Sequence, residues 1–122
     1  MATSEPQRVT TPGLTAFRAE ARPVVDGTGE VVVEGEVDVA TAPQLRESLH
    51  NVIDQGATHL RIDLAEVGFI DSAGLGVLTG GLERARAGGG DLALVATGQN
   101  VIRILEITGL NRLFAIHSSR PG

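Results

Sequence analysis

The chain has 122 residues and a formal net charge of −5. Its basic residues are scattered, and it has no Trp or Tyr and only three Phe. It therefore lacks both the basic stripe and the aromatic stacking platform of a nucleic-acid-binding protein. All ten basic residues are arginine, which excludes a P-loop lysine and lysine-based covalent catalysis. The absence of cysteine excludes disulfides and thiolate metal sites, and no apolar run reaches the ~20 residues of a membrane span, so we expect a soluble, cytoplasmic protein.

The first half of the chain predicts a hairpin followed by a helix. Residues 1–13 are rich in Thr, Ser, Pro and charge, and we expect a disordered lead-in to one domain over residues 14–118. Three segments then predict an edge strand, a turn and a strand: Leu14 to Glu20, Val24 to Gly29, and Glu30 to Gly35. A helix is predicted from Ala42 to Gln55, because Thr41 to Gln44 has the capping-box spacing with a proline in the first turn.

The second half predicts strands that alternate with helices. The predicted strands are Leu60 to Leu64, with Val67 to Ile70 as a short apolar exit segment, Asp91 to Ala96, and Phe114 to His117. The predicted helices run from Ser72 to the glycines at 88–90, and from Gln99 to Thr108 with Gly109 as its C′ residue. Residues 119–122 form a tail. This order predicts an α/β fold: a mixed, largely parallel sheet opened by a hairpin, with helices packed on it.

The most informative stretch is Asp71-Ser72-Ala73-Gly74, which joins a predicted strand to a predicted helix. Asp71 is a preferred N-cap residue, and this role alone would explain it. Ser72 then takes the first helical position, where a hydroxyl contributes little to the helix. Unpaired backbone N–H groups and the helix dipole favour a negative charge there, so Ser72 suits a phosphate switch.

Glycines in the second helix have two explanations. Each glycine weakens a helix by about 1 kcal/mol relative to alanine, so another requirement must select small residues. A helical wheel separates a core stripe from an outward face: Leu75, Leu78, Leu82 and Ala85 against Ala73, Gly76, Val77 and Gly80. Close packing within the domain explains Gly74 and Gly81 as well as docking does, whereas the outward set favours a docking surface for a partner.

Other residues of the sequence do not form a convincing metal or catalytic site. Three carboxylates, Asp38, Asp63 and Asp71, could be imagined around a magnesium ion, but capping or solvated carboxylates explain them better, and no metal or other cofactor is predicted. Three histidines without ligand spacing are expected at the surface: His50, His59 and His117. The sequence from Gly74 lacks the third glycine of a dinucleotide fingerprint, and Ser72 lacks a nucleophile elbow, so no enzyme is predicted.

Two motifs in combination resemble the STAS domain of bacterial anti-sigma factor antagonists. They are Gly35-Glu36-Val37-Asp38 ahead of a helix and Phe69-Ile70-Asp71-Ser72-Ala73-Gly74-Leu75-Gly76, with Ile107-Thr108-Gly109-Leu110 near the end. The resemblance implies that Ser72 is phosphorylated by a serine kinase that is itself the anti-sigma factor, and that a serine phosphatase reverses this. It also places the turn at Asp38 beside the serine loop. Many relatives have a second hydroxyl after the phosphoacceptor, whereas this chain has Ala73.

These observations predict a non-catalytic interaction switch. The predicted partner-binding residues are Asp38, Thr41, Asp71, Ser72, Ala73, Gly76, Val77 and Gly80. The resemblance implies that this surface, when unphosphorylated, binds the anti-sigma factor kinase and releases its sigma factor. Phosphate on Ser72 would break the complex, because it adds charge beside Asp71 in the interface. The alternative is a STAS-like module that binds a ligand or builds a scaffold without a phosphorylation cycle. Neither reading involves direct contact with nucleic acid or a membrane.

Overall fold

The computed structural model describes residues 16–96 and 98–118. The predictions for residues 1–15 and 119–122 therefore lie outside the described residues. The strands are β1 Arg18–Ala21, β2 Thr28–Val37, β3 His59–Ile70, β4 Asp91–Val95 and β5 Ala115–His117. The helices are α1 Ala42–Asp54, α2 Ser72–Ala87 and α3 Gln99–Thr108, followed by a 3-10 helix, η1, at Leu110–Arg112.

The five strands form one sheet in the order β1-β2-β3-β4-β5. Strand β1 pairs with β2 in antiparallel fashion, through a tight turn at Asp26 and Gly27, and every later pair is parallel. Because β1 lies at the edge, the predicted edge strand and opening hairpin are confirmed, although β1 begins at Arg18 and β2 already begins at Thr28. The mixed, largely parallel α/β fold class is confirmed as well.

Strand β3 differs from its prediction. It is one strand of twelve residues, not a short strand with a separate exit segment. Its register against β2 shifts twice. Three residues of β2, Val32 to Glu34, lie opposite four residues of β3, Asp63 to Glu66, and the next two, Gly35 and Glu36, lie opposite the three residues 67–69. Extra residues of this kind are β-bulges, which interrupt the period-two pattern without ending the strand. Gly35 has φ of 99°, a backbone conformation that favours glycine at this irregular point.

Helices α1 and α2 pack against each other and against the sheet. The predicted core stripe of α2 is confirmed, because Leu75, Leu78, Leu82 and Ala85 are all buried. A Cβ atom placed on Gly81 would lie 3.2 Å from the side chains of both Leu49 and Leu92. Even a methyl side chain at Gly81 would press against both leucines, so α2 passes close to α1 and β4 at this point.

The later elements agree closely with the predictions. Helix α3 has the predicted bounds and ends at Gly109, whose φ of 78° is left-handed.

In the described residues, no helix is both long and apolar enough to cross a membrane.

One arginine ties the end of α2 to the last two strands. Arg86 Nε lies 3.2 Å from Asp91 Oδ1 at the start of β4, and Arg86 Nη2 donates to the carbonyl of Leu113, just before β5, at 2.9 Å. The Leu92 N–H, followed by the Arg86 guanidinium, holds the pKa of Asp91 below its ordinary value. Both contacts are exposed to solvent, so they link the end of α2 to β4 and to the residue before β5 without burying it.

Candidate functional site

The two motifs meet at one edge of the sheet. Strands β2 and β3 are parallel neighbours, and their last residues, Val37 and Ile70, are paired. The backbone N–H of Asp71 donates to the carbonyl of Val37 at 3.0 Å, which joins the two loops directly. The turn at Asp38 and the start of α2 therefore lie side by side, as the resemblance implied.

Asp71 caps α2. Its Oδ1 accepts the backbone N–H of Ala73 at 2.9 Å and that of Gly74 at 3.3 Å, and its own backbone is extended. These bonds satisfy two of the donors that a helix start leaves without partners. The capping role of Asp71 is thus confirmed.

Ser72 is the first residue of α2 and is exposed to solvent. Within the described residues its hydroxyl makes no hydrogen bond. The carboxylate of Asp71 bonds to the backbone N–H groups of Ala73 and Gly74 and not to Ser72. By contrast, the hydroxyl of Ser48 donates to the carbonyl of Ala19 and that of Thr79 to the carbonyl of Leu75. The Ser72 hydroxyl is accessible and uncommitted, at a helix N-terminus that can accommodate an added phosphate.

The turn after β2 is built on Asp38 and Thr41. Asp38 Oδ1 accepts the backbone N–H groups of Ala40 and Thr41 at 2.9 and 3.0 Å. The Thr41 hydroxyl accepts the N–H of Asp38 and donates to the carbonyl of Glu36, both at 2.9 Å. The capping box predicted at Thr41 is therefore wrong, because the hydroxyl turns back into the loop and makes no cap bond to α1. Gly35, Glu36 and Val37 belong to β2, so the turn itself begins at Asp38.

The outward face of α2 is only partly as predicted. Gly76 is exposed, and Ala73 and Gly80 are half-buried. Val77 is 4% exposed and belongs to the core, so its placement on the outward face is wrong. The reason is that α1 packs along α2 and buries a wider face than the leucine stripe alone.

The remaining polar candidates show no metal centre. Among the described residues, no cluster of three or more His, Cys, Asp and Glu side chains is arranged to hold a metal ion. Asp63 is buried and accepts the N–H of Ala65 at 3.0 Å. All three histidines are exposed, as expected.

The sequence did not predict that two apolar residues near the ends of β2 and β3 are exposed to solvent. Val39, in the turn, is 77% exposed, and Phe69, three residues before Ser72, is 42% exposed. A valine inside a polar turn was a signal for the first. The bulge at Gly68 hid the second, because it breaks the alternation from which the exposure of a strand residue is inferred. Together they place two exposed apolar side chains near the carboxyl ends of β2 and β3, where the loop of Ser72 begins.

The comparisons with known proteins agree with this geometry. The STAS domain model matches residues 21–121. The anti-sigma-B factor antagonist of Bacillus subtilis (strain 168) is 41% identical over 93 residues, which are 76% of this chain and 84% of that protein. The crystal structure of an anti-sigma factor antagonist from Mycobacterium paratuberculosis has a TM-score of 0.76 and 30% identity, over 91% of this chain and 92% of that one. The chain therefore belongs to the STAS domain family, among the anti-sigma factor antagonists.

A third relative shares the fold. The Bacillus cell fate determinant SpoIIAA, solved in its phosphorylated form, has a TM-score of 0.64 and 23% identity, over 85% of this chain and 93% of that one.

Proposed function

We propose that this protein is an anti-sigma factor antagonist that acts in the cytoplasm as a switch and not as an enzyme. Unphosphorylated, it binds a kinase-type anti-sigma factor, which releases a sigma factor for transcription. The kinase phosphorylates Ser72 and a serine phosphatase restores the hydroxyl. The observation that carries the proposal is the exposed, uncommitted hydroxyl of Ser72 on a capped helix start.

The surroundings of Ser72 support a switch that breaks a complex without unfolding the domain. A phosphate adds about −1.5 to −2 charges, which the N-terminus of α2 tolerates. In a complex, the same phosphate would be desolvated beside the carboxylate of Asp71, and this costs binding free energy. Val39 and Phe69 would supply the apolar contacts that are lost when the partner leaves.

The relatives support the partner class. The B. subtilis protein is named for its antagonism of an anti-sigma factor, and SpoIIAA, which shares the fold, has been solved in a phosphorylated form. A ligand-binding module that uses the same loop would instead bind an anion in the absence of any kinase.

Phosphosite mapping tests the proposal. The protein is incubated with ATP and each anti-sigma factor kinase encoded in the same genome, and modified residues are identified by mass spectrometry. We expect one kinase to give stoichiometric phosphate on Ser72 alone, and Ser72→Ala to accept none while still binding that kinase. Phosphate that persists on the variant at another residue, or no kinase that modifies the chain, would contradict the proposal.

A further inference from the structure

A groove runs between α1 and α2, beginning one turn beyond Ser72. It has a volume of about 360 Å³ and is lined by Arg46 and His50 of α1 and by Gly76, Gly80 and Arg84 of α2. Pockets of about 300–1,000 Å³ are the size that holds a ligand or a few side chains. Successive residues of a helix rise by about 1.5 Å, so Gly76 lies about 6 Å along the axis from Ser72, and one partner can cover both.

The groove is open because two of its glycines carry no side chain. A Cβ atom placed on Gly76 or Gly80 would meet nothing within 4 Å. At Gly74, by contrast, it would lie 2.6 Å from Val37 Cγ1. Packing inside the domain therefore explains Gly74, but it does not explain Gly76 and Gly80.

The groove is positively charged on an acidic protein. Two guanidinium groups, Arg46 and Arg84, line it against one carboxylate, Glu83, whereas the whole chain has a net charge of −5. Neither arginine is in an ion pair with another described residue, although Arg18, Arg61 and Arg86 are paired. The guanidinium group binds carboxylates through two parallel hydrogen bonds, so Arg46 and Arg84 suit acidic side chains.

Apolar residues complete the lining of the groove: the half-buried Ile53, and the core residues Leu49 and Val77, which form its floor. A small free anion would leave this floor uncovered. A polypeptide segment with acidic and apolar side chains would cover the floor and reach both arginines.

We propose that the groove between α1 and α2 binds an acidic segment of the anti-sigma factor. This rests on the proposed function and adds the chemistry of the partner surface. The groove is a second contact surface, next to the one formed by Ser72 and the turn at Asp38. It fixes the orientation of the partner on α2. Its contribution is electrostatic and therefore depends on salt.

Charge reversal tests this proposal on the full chain. The affinity of the kinase that phosphorylates Ser72 is measured by calorimetry for wild type, Arg46→Glu, Arg84→Glu and the control Arg103→Glu. Arg103 is exposed on α3 and unpaired among the described residues, so it matches the change in net charge away from the groove. We expect each groove variant to lose about tenfold or more in affinity and the control to change less than twofold. We also expect the affinity of wild type to fall more steeply with added NaCl than that of Arg84→Glu.

The outcomes separate the two proposals. If the kinase binds wild type and both groove variants equally, or binds the groove variants more tightly, the groove proposal is overturned and the proposed function stands. If equal losses occur in Arg103→Glu, net charge and not the groove is responsible, and the groove proposal is again overturned. If no kinase binds wild type, both proposals fall. Thermal melting of each variant shows whether a loss of affinity reflects unfolding, and in that case Arg46→Gln and Arg84→Gln give the deciding comparison.

Discussion

At the scale of the residue, Asp71 and Ser72 divide two tasks between neighbouring side chains. Asp71 satisfies the backbone donors of Ala73 and Gly74, which leaves the Ser72 hydroxyl without a structural role. A capping residue contributes about 1 kcal/mol to stability. Because the cap bonds do not involve the Ser72 hydroxyl, modification of Ser72 leaves them intact. The charge of Ser72 can therefore change while the fold is retained.

Replacing Ser72 with aspartate should separate folding from binding. We expect Ser72→Asp to retain the circular dichroism spectrum and melting temperature of wild type, since a carboxylate in the first helical turn is stabilising by up to about 1 kcal/mol. Its affinity for the kinase should fall about tenfold or more, because a charge is placed beside Asp71 in the interface. Asn111→Asp adds the same charge on η1 and should bind normally. An unfolded Ser72→Asp variant would show that the helix start does not tolerate charge.

The exposed valines offer a matched pair. Val39 in the turn beside Ser72 is 77% exposed, and Val25 at the hairpin is 64% exposed. If Val39 is buried by the partner, Val39→Ser should weaken binding by about 1 to 1.5 kcal/mol, or about tenfold, because an apolar side chain no longer leaves water. Val25→Ser should leave the affinity unchanged. Surface plasmon resonance on both variants checks this, and equal affinities would remove Val39 from the interface.

At the scale of the element, α2 combines internal and external demands on small residues. Gly74 and Gly81 are confined by side chains of the core, whereas Gly76 and Gly80 face open space. The helix accepts a cost of about 1 kcal/mol at each glycine, but only the first pair gains close packing in return. The absence of side chains at Gly76 and Gly80 is explained if a partner packs against this face of α2.

Substitution of the two kinds of glycine should have opposite effects on stability. Gly80→Arg should hold or raise the melting temperature, because arginine is a better helix former than glycine by about 0.5–1 kcal/mol. It should also weaken binding, because the side chain fills the groove. Gly74→Ala should lower the melting temperature, because its Cβ would lie 2.7 Å from Ile70 Cγ1 as well as close to Val37. Calorimetric melting and kinase binding measure both effects. A Gly80→Arg variant that melts early would mean that this face of α2 packs within the domain.

Local signals account for the elements that the sequence predicted well. Helix α3 was predicted with its bounds because Gly109 ends it, and the first residue of α2 was predicted because a capping aspartate precedes it. Features that depend on distant contacts were not predicted. The burial of Val77 results from α1 alongside it, and the Thr41 hydroxyl is drawn to Asp38 and Glu36 instead of the cap. Bulges hid the continuity of β3 and the exposure of Phe69.

At the scale of the whole molecule, the parallel pairing of β2 and β3 builds the site. Because both strands end at the same edge, their loops bring Asp38, Thr41, Asp71 and Ser72 together from two distant segments of the chain. The core stripe of α2 is buried and its first turn is capped by Asp71, so a charge added at Ser72 is expected to change the surface and not the architecture. The domain therefore provides a rigid support for a reversible modification.

The affinity of the kinase for the two forms of the full chain tests this account most directly. The unphosphorylated protein and the protein phosphorylated on Ser72 are titrated into the kinase by calorimetry, and circular dichroism verifies that both are folded. The account predicts tight binding of the unphosphorylated form and an affinity at least about a hundredfold lower for the phosphorylated form, or about 2.7 kcal/mol. Equal affinities of two folded forms would contradict it.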